Sequence, residues 1–210
     1  MRWTQTWRNM HPDWNYVLFD SGFLTSRRWR NQDLIQAHIA KGRYKGVADL
    51  IRYEILLEGG GFIPEADSEC TLPCDGLFDR ETAETAYENE KPGLVSPFFA
   101  SVPGHPLLET IIADLGARWT PETLRVPWRS TGNRYLKFRI EENKPDIVVF
   151  PSHYFIPDHK SGLSYHGDGP VYARQHWGTT GGLYEANDAA AAKDIRANVL
   201  KELKQQGPSQ

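Results

Sequence analysis

No part of this chain is apolar for long. Its hydrophobic runs are short ones such as Ile147-Val148-Val149-Phe150, far below the roughly 20 residues that cross a bilayer. A membrane-spanning role is therefore not expected. Cysteine is equally scarce: Cys70 and Cys74 alone are too few for a disulfide framework or a four-ligand zinc site, and they read as ordinary buried thiols. Basic charge never accumulates. The 24 Lys and Arg are spread against 27 Asp and Glu, a net charge of −3, with no block able to follow a phosphate backbone, so nucleic acid is not expected as a partner. The opening Met1-Arg2-Trp3-Thr4-Gln5-Thr6-Trp7-Arg8 has no apolar core and no small-residue cleavage site, so a secretory signal is not expected and the cytoplasm is the compartment implied.

What the chain does have is material for a core. Hydrophobic residues make up 40% of its 210 residues, with seven Trp, nine Tyr and nine Phe, which describes a globular protein rather than a disordered one. The spacing predicts a helix over 2–10, broken at His11-Pro12-Asp13, then a strand at Tyr16-Val17-Leu18-Phe19. From Asp33, read as the N-cap, Leu34, Ile35, His38 and Ile39 recur at helical spacing. A second helix is expected over 47–58. In it Val47, Leu50, Ile51 and Ile55 form one stripe, while Asp49, Arg52, Tyr53 and Leu56 share another face.

Gly59-Gly60-Gly61 should end that helix and lead into a strand at Phe62-Ile63. Residues 75–92 read as a polar surface connection. Leu94 to Ala100 is a strand candidate. His105-Pro106 opens a helix carrying Leu107, Leu108, Ile111, Ile112 and Leu115 on one face, and Gly116 is read as its end. Ser130-Thr131-Gly132-Asn133 forms a turn before another helix, and Asp146 to Phe150 is the next strand. An Ala-rich helix is expected from Glu185, with Ile195, Val199, Leu200 and Leu203 as its apolar stripe. No repeat or linker divides it, so residues 1–184 form one domain and 185–210 a helical tail.

The chemistry gathers just past Phe62-Ile63, where Glu65, Asp67 and Glu69 leave the end of an apolar segment, the place where open α/β sheets put their ligands. Glu65 and Asp67, at i and i+2, project to one side of an extended backbone and can grip a hard cation. The same pattern in isolation is a solvated surface turn.

The blocks Ala48-Asp49-Leu50-Ile51-Arg52, then Gly60-Gly61-Phe62, then Glu65-Ala66-Asp67, resemble the DXD sugar-binding region of glycosyltransferases. The family closest in pattern is family 32, the initiating mannosyltransferase and capsular polysaccharide type. The resemblance continues through Gly104-His105-Pro106-Leu107-Leu108, Ser130-Thr131-Gly132, Pro151-Ser152-His153-Tyr154-Phe155 and Tyr172-Ala173-Arg174-Gln175-His176-Trp177, and covers about residues 3–178. Ile63, Pro64 and Glu65 stand where the family has tyrosine, an aliphatic residue and its first aspartate, and Ser96 stands where asparagine is common. The family's opening I-P-K-I-I-H-Q-I-W strand, which supports the nucleotide base, has no counterpart in the sequence read.

The resemblance implies an α/β chain with the A-type nucleotide-diphospho-sugar transferase fold, a Rossmann-like mixed sheet flanked by helices, here without its usual first strand. It implies a metal-dependent, retaining hexosyltransferase that uses Mn²⁺ or Mg²⁺ and moves a hexose from a nucleotide-diphospho-sugar to a glycan, lipid or other hydroxyl acceptor. Asp67 would hold the metal against the diphosphate, where a divalent ion neutralises the charge of the leaving group. Glu65 would contact ribose or sugar and share the metal. Asp49 and Arg52 are either an internal ion pair or donor-sugar ligands, and a guanidinium can be both. Gly60 and Gly61, in the donor-binding region, are first of all backbone devices. His176 would complete the metal shell or reach a phosphate oxygen, and Trp177 would cover the donor. His153 and Tyr154 fall on the acceptor side, or His153 simply bonds a backbone carbonyl. The alternative reading is a non-catalytic sugar- or partner-binding derivative of the same fold.

Overall fold

The computed structural model describes residues 2–78, 82–90, 93–96, 98–178 and 189–207. The first helix, α1, spans Arg2–Met10 and a short α2 spans Ser21–Thr25. The strand expected at 16–19 does not form. Tyr16, Val17 and Leu18 run as exposed irregular backbone, because a β-branched run makes a strand only where a neighbour offers a ladder.

Helices α3 (Gln32–Ala40), α4 (Tyr44–Gly59) and α5 (Pro106–Arg118) build the main core. Asn31, rather than Asp33, takes the N-cap of α3. All five residues assigned to the apolar face of α5 are buried, and the helix runs through Gly116. His105 caps it, Nδ1 accepting from the Leu107 N–H at 3.2 Å, with Pro106 in the first turn. These side chains meet Leu50, Tyr53 and Leu56 of α4 and Leu34, Ile35 and Ile39 of α3 in one cluster. Helix α8 (Ala189–Gln205) joins it through Val199 and the fully buried Leu203, and Gln32 Nε2 donates to the Leu203 carbonyl at 2.9 Å. The expected start of that helix, 185–188, lies outside the described residues.

Among the described residues seven short strands form two sheets: β1 (Gly61–Ile63), β2 (Ser68–Cys70), β3 (Ala83–Asn89), β4 (Leu94–Val95), β5 (Phe99–Ser101), β6 (Ile147–Phe150) and β7 (Ala173–Gln175). The segment read as a polar surface connection thus contains β3, the hub of the main sheet. It pairs with β5 (Ala83↔Ser101), β4 (Tyr87↔Val95) and β6 (Ala83↔Ile147 to Ala86↔Phe150). Strand β1 adds to the outer side of β5, Gly61 opposite Ser101, while β2 and β7 form a separate antiparallel pair.

The architecture is mixed α/β, but the Rossmann-like expectation is corrected. Among the described residues only β3 with β6 is parallel; the remaining pairings are antiparallel. The connections explain this. From β3 the chain turns back through β4 and β5 along the same strand, which forces antiparallel ladders, whereas β6 is reached only after α5, α6 (Pro127–Ser130) and α7 (Asn133–Asn143), a crossover long enough to restore direction. Two antiparallel steps also set β1 running the same way as β3 and β6. Three strands therefore release their C-terminal ends at one edge: Glu65 after β1, Glu88 near the end of β3, and Ser152-His153 after β6.

The helix-to-strand corner before this edge depends on Gly60. Its φ is +63°, and a Cβ there would lie 2.6 Å from Pro103 Cδ and 2.8 Å from the Ser101 carbonyl oxygen. Gly60→Ala is expected to destabilise the protein by about 2 kcal/mol or more, since left-handed strain and a backbone clash act together. Urea unfolding measures it, and a midpoint within error of the parent would refute the argument.

Candidate functional site

Helix α4 supplies the first part of the site. Asp49, Arg52 and Tyr53 are all buried on it. The turn after α6 docks onto them: Thr131 Oγ1 donates to Asp49 Oδ2 at 2.8 Å, and the Tyr53 hydroxyl donates to the Thr131 carbonyl at 2.7 Å. Gly132 makes the approach possible, because a Cβ there would meet Asp49 Oδ2 at 2.9 Å. Burial pushes the Asp49 carboxyl up to about 7 against the opposing pull of Arg52 and the Thr131 hydroxyl.

Arg52 reaches from α4 to the turn after β1, its Nη1 lying 3.4 Å from Glu65 Oε1 with the guanidinium side almost fully buried. The internal ion pair is expected between Asp49 and Arg52; the acid that Arg52 pairs with is Glu65. Beneath Glu65 the chain closes over an apolar floor of Trp7, Phe62, Phe98 and Phe155, leaving a cavity of about 10 Å³, room for about one water.

Asp67 is fastened to the far end of the chain. Its Oδ1 accepts from the Gln175 side-chain amide, its Oδ2 from the Gly178 N–H at 2.6 Å, and its carbonyl from the His176 N–H at 2.9 Å. These bonds extend the β2–β7 ladder and hold Trp177, whose φ of +54° is unusual for a residue with a side chain. The Trp177 indole N–H donates to the Asp158 carbonyl at 3.0 Å, and its ring meets His159 edge-on with centroids 5.0 Å apart. His176 turns to other partners: Nε2 lies 2.7 Å from Glu69 Oε2, and the ring stacks on Trp3 at 3.8 Å.

The three residues expected to share a metal therefore each have a separate partner, Glu65 with Arg52, Asp67 with Gln175 and Gly178, and His176 with Glu69. Among the described residues no group of three or more His, Cys, Asp or Glu is gathered to hold a metal ion. As arranged, this donor set does not fit a shared cation. Gly60 and Gly61 serve the backbone corner, Gly61 pairing with Ser101. His153 Nε2 lies 2.9 Å from the Asp168 carbonyl, the backbone bond anticipated for it. Cys70 and Cys74 are free and buried, with burial raising the Cys70 thiol to about 11.

No family model matches the chain, and no curated protein matches it. Among solved structures, the PaToxG glycosyltransferase is similar at a TM-score of 0.45 and 11% identity, over 90% of this chain and 63% of that one. The chain thus spans less than two thirds of that protein's length.

Three residues of this edge carried no mark in the sequence reading. Glu88, on β3, accepts a short hydrogen bond from the Asn133 side-chain amide at Oε2, and its Oε1 lies 3.6 Å from His159 Nε2. Burial raises the Glu88 carboxyl above the usual range against the pull of Lys160, and the Glu65 charge raises it further. Asn133 directly follows the Ser130-Thr131-Gly132 block, and that adjacency was the available signal for it. Glu88 sits in an acidic stretch that resembles surface, and His159 in a loop.

Proposed function

We propose that the chain is a glycosyltransferase that moves a hexose from a nucleotide-diphospho-sugar to a hydroxyl acceptor. The observation that supports this most is the direct bonding of sequence blocks that lie far apart. Asp49 is joined to Thr131 and Asp67 to Gln175, 82 and 108 residues away, and Arg52 pairs with Glu65 of the next block. These are the same blocks that carry the resemblance to the DXD-type enzymes, and a common site is a reason for them to meet.

In this reading Arg52 offers its fork of donors to a sugar hydroxyl or the diphosphate, and Asp49 and Glu65 accept from sugar hydroxyls. Trp177 covers the donor. The chemistry is positioning of the acceptor and stabilisation of a departing nucleoside diphosphate, with retention at the anomeric carbon taken from the resemblance. Mn²⁺ or Mg²⁺ enters this proposal only with release of Asp67 by Gln175 and Gly178, so no step is routed through a metal. A second reading, a non-catalytic sugar-binding derivative, is favoured by that same engagement of Asp67 and His176 within the chain.

Thermal unfolding of the chain with UDP- and GDP-sugars, with and without Mn²⁺, separates the two. A ligand at a hundred times its dissociation constant adds about 2.7 kcal/mol, a shift of several degrees at this size. Stabilisation by a nucleotide sugar together with release of nucleoside diphosphate is expected. Stabilisation by free sugars alone would favour the non-catalytic reading, and no response to any nucleotide sugar would end the enzyme reading.

A further inference from the structure

Glu88, Asn133 and His159 arrive from β3, from the start of α7 and from the loop after β6, and nothing in the Arg52–Glu65 pairing requires them. Asn133 fixes one oxygen of Glu88, which sets the orientation of the carboxylate. The other oxygen faces His159 Nε2 at 3.6 Å, too long for a full hydrogen bond.

The state of that imidazole follows from its far side. His159 Nδ1 accepts from the Ser161 backbone N–H at 3.2 Å and lies 2.7 Å from the Ser161 hydroxyl, which can donate to it as well. With Nδ1 accepting, the neutral ring carries its proton on Nε2, the nitrogen nearer Glu88. Burial, and then Lys160, lower the affinity of His159 for a second proton, keeping the ring in that neutral form. An acceptor oxygen and a donor N–H thus face each other across a gap slightly too wide for them. The 3.6 Å separation leaves no room for an atom between them, so a hydroxyl seated to one side of the pair takes both roles, donating to Glu88 Oε1 while accepting from His159 Nε2–H. An ammonium cannot accept, and a carboxylate cannot donate.

The surroundings suit a polyhydroxylated ligand. The Trp177 ring, assigned above to the donor, also meets His159 edge-on, with the Lys160 ammonium over it at 5.5 Å from the centroid, so the pair borders an aromatic surface, a combination that serves ligands with one apolar and one polar face. Glu88 retains about 15% of its side-chain surface in the open and His159 7%, so the carboxylate is the more open half of the pair. The pair also lies next to, and not within, the Asp49–Arg52–Glu65 group assigned to the donor sugar.

We propose that the Glu88–His159 pair, oriented by Asn133, is the acceptor subsite and receives a hydroxyl of a carbohydrate acceptor. This rests on the glycosyltransferase reading above. Glu88 and His159 bind the acceptor, and Asn133 is a positioning residue.

The test uses the full chain with the donor that stabilises it, a panel of methyl hexosides as acceptors and a serine-containing peptide as the competing hydroxyl. Glu88→Gln is expected to raise KM for the hexoside at least tenfold, while the donor dissociation constant by calorimetry moves less than twofold. Asn133→Ala should shift acceptor KM in the same direction by a smaller factor, and it carries the test if Glu88→Gln does not fold. Unchanged acceptor KM in a folded Glu88→Gln variant would overturn the proposal. A donor constant that weakens in parallel with acceptor KM would also overturn it, by moving Glu88 to the donor side. Transfer to the peptide in preference to every hexoside would overturn the carbohydrate assignment. A parent chain that binds no nucleotide sugar is a different failure, since it removes the enzyme reading itself and this subsite with it.

Discussion

Replacing Arg52 by methionine should cost about 3 kcal/mol of stability, near the low end of the 3–5 kcal/mol found when one partner of a buried pair is removed. The low end applies because Glu65 keeps a quarter of its side chain exposed and can recover some hydration. The loss comes from what remains. Glu65 would be left without its guanidinium, and the buried Asp49, whose charge Glu65 already disfavours, would lose the cation that opposes this. Adding Glu65→Gln to Arg52→Met should recover a clear part of the loss, because it removes one of the stranded charges. Urea midpoints at constant slope for the parent, both single variants and the double variant measure this. A loss below 1 kcal/mol for Arg52→Met, or no recovery in the double variant, would mean that the pair does not hold the turn after β1 to α4.

The second large effect concerns Asp49 and has the opposite sign. Its carboxyl titrates near 7 in the folded chain against an ordinary 3.8, chiefly through burial. Between about pH 4 and 7 the folded state keeps a proton that the unfolded state has released, so stability falls as pH rises through that window and the full cost persists above it. Asp49→Asn removes the ionisation while its amide oxygen can still accept from Thr131. The variant is expected to be more stable than the parent by a few kcal/mol at pH 8, about equal to it at pH 4, and without the slope between. Stabilisation by a nucleotide sugar should be lost in the same variant, as is common where a functional site is held at a cost to stability. Thermal midpoints from pH 4 to 8 decide it, and a slope that persists in Asp49→Asn would assign the pH dependence to another group.

Much of the helical layer could be read from periodicity. The Leu107-Leu108-Ile111-Ile112-Leu115 face of α5 follows directly from the 3.6-residue repeat and is buried as expected, whereas on α4 the Asp49-Arg52-Tyr53 face is buried and Ile51 and Ile55 of the apolar stripe are only half-buried. Strands were harder, for a physical reason. Tyr16 to Phe19 has the composition of a strand and pairs with no strand among the described residues, whereas Ala83 to Asn89, with Glu84, Glu88 and Asn89, has the composition of a loop and three strand partners. Pairing decides a strand, and pairing is not local. The site divides along the same line. Asp49, Arg52, Glu65 and Asp67 were visible as motif residues, but their partners Thr131, Gln175 and Gly178 are 82, 108 and 111 residues away from the carboxylates that they touch. Glu88 stayed hidden because its strand did.

The fastening of Asp67 to Gln175 also has a topological side. It closes a loop of 108 residues, and for a flexible chain that closure costs about 4 kcal/mol of entropy before any contact offsets it. Three short strand residues on each side and one carboxylate cannot meet such a cost unaided. The helical layer and β3 must first shorten the path between the two ends, as α5 and β6 do by packing into the same core. The clasp around Trp177 is therefore a product of the assembled core, and an intact site reports that the rest of the chain has already found its place.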